Sequence, residues 1–137
     1  IQKGCAEVLA EGTYAALFAI GSMVETAWQV RRKLAEKGIP TTVVNARFAM
    51  PLDKNCLRKL AESHPLLVTM EENVASGGFG EHVAAFLEEE ALHTKVLRIA
   101  IPDCFVEHGS VGELKKALGL DADSVTEKIL AELPEEL

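Results

Sequence analysis

The sequence has few of the features that mark a membrane, nucleic-acid-binding or disulfide-stabilised protein. Its 137 residues include no apolar run near the ~20 residues of a membrane span, and the apolar segment 14–20 is only strand-sized. The formal charge of -7 argues against binding to a phosphate backbone. Cys5, Cys56 and Cys104 are odd in number and have no C-x-x-C spacing, so we expect reduced cysteines in a cytoplasmic protein.

An initiator methionine is also absent from the sequence. It opens with IQKGCAEVLAEG, already inside a patterned segment, which favours a piece of a longer polypeptide. The length suits one compact domain, and no linker or low-complexity stretch interrupts the middle of the sequence. We therefore expect a single domain over residues 1–137.

Strand patterns alternate with helical patterns along the whole chain. Apolar or β-branched strands are predicted at 14–20, 41–45, 65–70 and 95–101, with a loosely alternating edge strand at 3–10. Helices are predicted at 22–38, 53–63, 79–92, 110–119 and 124–133. This alternation predicts a three-layer α/β/α domain around a mostly parallel sheet.

Three S-x-x-E patterns predict helix starts. In such a capping box the hydroxyl and the carboxylate bind backbone amides that the first helical turn leaves unpaired. The patterns begin at Ser22, Ser110 and Ser124. Glycines predict two of the helix ends, at Gly38 and Gly119.

A glycine-rich turn follows the strand 65–70, at the edge where parallel sheets place their ligands. The run GGFG fits neither G-x-G-x-x-G nor G-x-x-x-x-G-K-[ST], and the two glutamates before it would repel a diphosphate. A large ring at the tip of the turn favours packing over phosphate binding, so we expect the Phe79 side chain to point outward. The predicted docking surface comprises Glu71, Glu72, Asn73, Gly77, Gly78, Phe79 and Gly80, although helix or loop capping is the simpler interpretation of the acidic pair.

Three other residues are weaker candidates for a ligand-facing edge. Arg47 and Asp53 follow the strand 41–45, and His108 lies beside Glu107 after the last strand. Asp53 is most simply a helix N-cap, and His108 is most simply part of a turn. The four histidines show no metal-ligand spacing, and no serine or cysteine has a visible base partner. The sequence therefore predicts no catalytic, cofactor-binding or metal-binding residue.

Five segments are recognisable as a set: AIGSMVETA, GIPTTVVNARFAMPLD, VTMEENVASGGFGEHV, LRIAIPDCFVEHGS and LGLDADSV. In order and spacing they resemble the C-terminal domain of the 1-deoxy-D-xylulose-5-phosphate synthases, and the resemblance covers essentially the whole chain. The C-terminal domains of transketolases and 2-oxoacid dehydrogenases share the fold and a looser glycine turn. Met50 stands where the synthases usually have a lysine, and NAR replaces the commoner DAR.

The resemblance implies a thiamine-diphosphate enzyme that decarboxylates pyruvate and joins the two-carbon unit to glyceraldehyde 3-phosphate. The product feeds the synthesis of isoprenoid, thiamine and pyridoxal precursors. The resemblance also implies a five-stranded sheet whose first strand is antiparallel to the others. Thiamine diphosphate and magnesium would bind other domains through a G-D-G motif, which this sequence lacks, so we expect no cofactor on this chain.

The resemblance thus predicts a mainly structural third domain that is inactive in isolation. Its expected partners are the other domains of the same polypeptide and a second identical subunit. Two alternatives stay open: the equivalent domain of a 2-oxoacid dehydrogenase β-subunit or transketolase, and a free-standing flavodoxin-like ligand-binding domain. A G-D-G motif a few hundred residues upstream would separate the synthase and its relatives from a free-standing domain.

Overall fold

The computed structural model describes residues 4–74, 78–101 and 116–133, without the side chains of Asn73 and Val74. The strands are β1 (Glu7–Ala10), β2 (Ala15–Ala19), β3 (Thr41–Asn45), β4 (Leu66–Val74) and β5 (Lys95–Ile101). The helices that follow them are α1 (Met23–Ala35), α2 (Lys54–Ser63), α3 (Phe79–Glu89) and α4 (Ala122–Glu132). Within the described ranges no helix is long and apolar enough to span a membrane.

The strands form one sheet in the order β1-β3-β2-β4-β5. β2 pairs in parallel with β3 and β4, β4 pairs in parallel with β5, and β1 pairs antiparallel with β3. This topology confirms the predicted α/β class, with a mostly parallel sheet and one antiparallel edge strand. The chain moves from β3 on one side of β2 to β4 on the other, so a topological switch point lies at the carboxyl ends of β2 and β4.

Of the helices in the described ranges, α1 and α4 cover one face of the sheet, and α2 and α3 cover the other. Successive side chains of a strand point to opposite faces, so Leu17 joins the apolar cluster under α1 and α4, while Phe18 joins the cluster under α2 and α3. All five residues of β2 are fully buried. A continuously apolar strand is what a central position between two helical layers requires, and the three-layer prediction is confirmed.

The S-x-x-E patterns did not identify the caps correctly. α1 does begin after Ser22, but the Ser22 side chain makes no capping hydrogen bond, since its backbone (φ -64, ψ -18) is already helical. α4 begins ahead of Ser124, and its N-cap is Asp121, whose carboxylate accepts hydrogen bonds from the Ser124 backbone N–H and hydroxyl. Ser110 lies outside the described residues.

Other boundaries agree more closely with the prediction. Gly38 and Gly119 follow helical segments and take the left-handed backbone conformation, with φ of +75 and +74, as predicted for helix ends. β4 is longer than the predicted strand 65–70, because its far end resumes pairing with β5 after an irregularity in register. Glu71 and Glu72 therefore belong to the strand rather than to the turn after it.

Candidate functional site

The candidate site is the carboxyl edge of the sheet at the switch point between β2 and β4. The Ile20 N–H donates to the Met70 carbonyl at 3.1 Å, so the two strands stay joined just past the end of β2. The chain then turns at Gly21 (φ +62) into α1, whereas β4 continues to Glu71 and beyond. Glu71 directly follows Met70 and is therefore the acidic residue of β4 that lies next to the switch point in the sequence.

Glu71 is committed to the fold rather than free for a ligand. Its side chain is fully buried on the face that also carries Leu67, and its carboxylate accepts hydrogen bonds from the Phe79 and Gly80 backbone N–H groups at 2.9 and 2.5 Å. The N-cap residue of α3 is Gly78, which has no side chain to offer. A residue of β4 therefore supplies the cap of α3.

The prediction that Phe79 points outward is wrong. The residue is 2% exposed, and its ring stacks on Phe18 with 5.4 Å between the ring centroids and 16° between the ring planes. Val83 and Phe86 follow at helical spacing and pack in the same cluster. Phe79 is thus the first residue of the apolar stripe of α3, and that stripe faces the sheet.

The rest of the predicted docking surface includes exposed, half-buried, buried and undescribed positions. Glu72 is exposed, Gly78 is half-buried and Gly80 is buried. The backbone of Asn73 lies in β4, and Gly77 lies outside the described residues. A docking role for this surface stays a prediction.

Arg47 contacts the edge strand of the sheet. Its guanidinium Nη2 lies 2.6 Å from Glu7 Oε2, which joins the residues after β3 to the start of β1. Its backbone has φ 64, and the Arg47 N–H donates to Asn45 Oδ1 at 3.0 Å. The ion pair is partly exposed and is worth little stability by itself, but it occupies the charged group that a ligand would need.

Asp53 is the N-cap of α2, as the simpler interpretation of the sequence predicted. Its Oδ1 accepts a hydrogen bond from the Cys56 N–H at 3.0 Å, and its Oδ2 accepts one from the Ala6 N–H at 2.8 Å. Burial, and secondarily the Asp53 charge, raises the pKa of the Cys56 thiol to about 11. The thiol is therefore protonated at neutral pH and is a poor nucleophile.

A buried hydrogen-bond network around His64, at the opposite edge of the sheet, was missed by sequence reasoning. His64 is buried between α2 and β4, with Nε2 2.8 Å from Thr42 Oγ1 and 3.2 Å from the Gly12 carbonyl oxygen. Its Nδ1 lies 3.0 Å from the Leu60 carbonyl oxygen. These contacts join three separate segments, and no local pattern around His64 indicated them.

A groove of about 850 Å³ lies beside His64, between β1 and α2. Of the predicted site residues that the structure describes, Asp53 alone lines this groove, and its carboxylate is already bound by backbone amides. In the part of the chain that the structure describes, no three His, Cys, Asp or Glu side chains come together as a metal site. His108, the remaining weak candidate, lies outside the described residues.

Comparison with known proteins places this arrangement in a family context. Residues 4–125 match the family model described as "Transketolase, C-terminal domain". The 1-deoxy-D-xylulose-5-phosphate synthase of Lachnoclostridium phytofermentans is 54% identical over 127 residues, which are 92% of this chain and 20% of that protein. A synthase of Geobacter metallireducens is 46% identical over the same shares of the two chains. The chain spans about one fifth of the length of these relatives.

Solved structures agree with the sheet topology. A split-gene transketolase, described as an inactive beta4 tetramer, superposes with a TM-score of 0.89 at 30% identity, covering 96% of this chain and 43% of that one. A transketolase variant from Pichia stipitis has a TM-score of 0.68 at 18% identity over 94% of this chain and 18% of its own, which shows the fold alone. With the family model matching most of its length, the chain belongs to the transketolase C-terminal domain family.

Proposed function

We propose that this chain is the C-terminal domain of a 1-deoxy-D-xylulose-5-phosphate synthase and that its part in the enzyme is structural. The complete enzyme would condense pyruvate, with decarboxylation, and glyceraldehyde 3-phosphate, using thiamine diphosphate and magnesium held by other domains. The identities of 54% and 46% to two synthases support this assignment over a transketolase or a 2-oxoacid dehydrogenase. The whole chain, residues 1–137, would form this one domain of a cytoplasmic enzyme.

The main support for a structural role is that the polar side chains at the carboxyl edge bind other parts of the same domain. Glu71 binds the start of α3, Arg47 pairs with Glu7, and Asp53 caps α2 while binding Ala6. A diphosphate or magnesium ion would have to break these contacts to find a ligand there. The described residues of this edge therefore do not fit the cofactor, and no catalytic step is assigned to them.

The partner we propose for the predicted docking surface is the rest of the same polypeptide, together with a second subunit. About four fifths of the length of the relatives lies outside the matched segment, so a domain of this kind has large neighbours to contact. On the described chain, the exposed side chains near the glycine turn are Glu72, Glu81 and His82. Such a polar surface suits a contact between domains, where interfaces are more polar than a protein core.

Calorimetry on the isolated chain tests the absence of a cofactor site. We expect no magnesium-dependent binding of thiamine diphosphate in the low-micromolar range, with the complete synthase as the positive control. Low-micromolar binding to the isolated chain would contradict the proposed division of roles.

Deletion of the domain from the complete synthase tests the structural role. We expect the truncated enzyme to lose subunit assembly in sedimentation experiments and to lose activity as a consequence. A truncated enzyme that assembles and turns over like the intact one would show that the domain has no part in assembly.

A further inference from the structure

Two cysteines that are far apart in the sequence border the same groove. Cys5 lies just before β1, and Cys56 lies in the first turn of α2. Both line the groove of about 850 Å³ between these two elements. Both side chains are half-buried thiols, so part of each is open to a small solute.

The backbone on both sides of Cys5 contacts the segment that leads into α2. On one side, a Cβ atom at Gly4 would lie 3.2 Å from Pro51 Cγ, so the chain there runs close against the proline. On the other side, the Ala6 N–H donates to Asp53 Oδ2 at 2.8 Å. Cys5 is therefore held over the start of α2 by contacts of its two neighbours.

One carboxylate brings the two cysteine backbones together. While Asp53 Oδ2 binds the Ala6 N–H, Asp53 Oδ1 accepts a hydrogen bond from the Cys56 N–H at 3.0 Å. The Ala6 nitrogen is bonded directly to the carbonyl carbon of Cys5, so little more than one carboxylate group separates the two cysteine backbones. A disulfide requires Cα atoms within about 7 Å of each other, which is the scale that a shared carboxylate sets.

We propose that Cys5 and Cys56 form a reversible disulfide that fastens the start of β1 to the first turn of α2. Disulfides of cytoplasmic proteins are usually transient and respond to the redox state of the cell. This bond would close one end of the groove and add a covalent link where hydrogen bonds already hold the edge strand. The inference depends only on contacts within this domain, and it goes beyond the function proposed above.

The disulfide would form by exchange with a small disulfide such as oxidised glutathione. The Cys5 thiol loses its proton to water, and the thiolate attacks one sulfur of the oxidant, whose sulfur–sulfur bond breaks to release one thiolate. The Cys56 thiolate then attacks the Cys5 sulfur of this mixed disulfide and expels the second small thiolate. Two protein thiols are thus oxidised by two electrons, and the oxidant is reduced to two small thiols that take up the two protons.

Cys56 suits the second step better than the first. Burial and the Asp53 charge raise the pKa of its thiol to about 11, while Lys59 acts in the opposite direction; Glu11 and His64 are the other ionisable groups along the groove. The low thiolate fraction disfavours attack on an oxidant from solution. A target sulfur held beside Cys56 offsets that disadvantage. The rate of closure should rise about tenfold per pH unit between pH 7 and 9, as the thiolate fraction rises.

The test is oxidation of the complete protein in glutathione buffers of increasing oxidised fraction. The remaining thiols are alkylated, and the peptides are identified by mass spectrometry. We expect a peptide pair linked through Cys5 and Cys56, which dithiothreitol separates again. Mixed disulfides with glutathione alone, or a link from either residue to Cys104, would overturn the proposal.

Three serine variants sharpen the result. Cys56→Ser should stop the reaction at a mixed disulfide of Cys5 with glutathione, whereas Cys5→Ser should leave Cys56 a thiol in the same buffer. Cys104→Ser is the matched control and should keep the link. Circular dichroism checks that each variant is folded.

A second measurement separates native geometry from chance pairing. Closure in the folded protein should be faster than closure in urea by at least tenfold, since the Asp53 contacts that hold the two segments together are lost on unfolding. The linked form should also unfold at a higher urea concentration than the reduced form. A link that forms no faster in the folded protein than in urea would show that the fold does not bring the two thiols together.

Discussion

The starts of α1 and α3 follow the two strands of the switch point, yet they are held in different ways. α1 carries a local S-x-x-E pattern, but the Ser22 side chain makes no capping hydrogen bond. α3 begins after a glycine, and a fully buried glutamate from β4 binds its first amides. The local capping pattern at α1 therefore makes no capping hydrogen bond through its serine. The start of α3 is capped by a residue that is distant in the sequence.

The reason lies in the backbone before each helix. The Met23 and Val24 N–H groups already donate to the Ile20 and Gly21 carbonyls, at 3.3 and 3.2 Å. The turn after β2 therefore satisfies amides that the Ser22 hydroxyl would otherwise bind. The Phe79 and Gly80 amides are instead buried against β4 and bound there by the carboxylate of Glu71.

The largest effect is expected from Phe79→Ala. Removing a ring that stacks on Phe18 in the core should lower the free energy of unfolding by about 3–5 kcal/mol. The control is Trp28→Ala, which removes a larger ring from a position that is 36% exposed and should cost far less. Urea unfolding followed by circular dichroism measures both. Equal losses for the two variants would contradict the buried position of Phe79.

The second-largest loss in the free energy of unfolding is expected from Glu71→Gln. One buried backbone N–H loses its acceptor, which costs about 1–3 kcal/mol in the free energy of unfolding. The same urea experiment measures this loss, and hydrogen exchange of the Phe79 and Gly80 amides locates it. Unchanged protection of both amides would show that the carboxylate is not what holds the start of α3.

Asp121→Asn should have a smaller, pH-dependent effect. Burial raises the pKa of Asp121, but hydrogen bonds from Ser124 outweigh it and leave the pKa below its ordinary value. The charged form therefore stabilises the folded state above the ordinary aspartate pKa of about 3.9, and this stability is lost as the pH falls through the lowered value. Asparagine keeps the cap but not the charge at the helix start, so we expect a loss of about 0.3–1 kcal/mol at pH 7.

The measurement for Asp121→Asn is a series of urea unfolding curves from pH 7 down to pH 3. The difference from the unsubstituted chain should shrink at the acidic end, because both side chains are then uncharged. A difference that stays constant with pH would contradict a charge effect.

The smallest effect is expected from Ser22→Ala. Because the Ser22 hydroxyl makes no capping hydrogen bond, its removal should change the free energy of unfolding by less than about 0.5 kcal/mol. Urea unfolding is again the measurement, with Asp53→Ala as the control, since loss of that cap should cost about 0.5–2 kcal/mol. A loss of about 1 kcal/mol for Ser22→Ala would show that Ser22 does cap α1, and it would weaken the contrast between α1 and α3.

Much of the fold was predictable because its causes are local. The continuous apolar run at β2 indicated a strand covered on both faces, and β2 is fully buried. Asp53 before α2 and Gly38 after α1 were predicted as a helix start and a helix end, and the structure confirms both. The inward position of Phe79 could also have been predicted, because its spacing to Val83 and Phe86 continues the apolar stripe of α3.

By itself the sequence determined the order of the described strands and helices and most of the apolar face of each helix, whereas the antiparallel direction of the edge strand was implied only by the family resemblance. The order and the apolar faces depend on side-chain periodicity and turn residues, which act over a few neighbouring positions. Only the tertiary structure decided the roles of Glu71 and His64. The pairing of α3 with β4 turns an acidic residue at a predicted ligand edge into a buried helix cap. The packing of α2 against β3 brings His64 to Thr42, since hydrogen bonds between distant segments exist only once the sheet has formed.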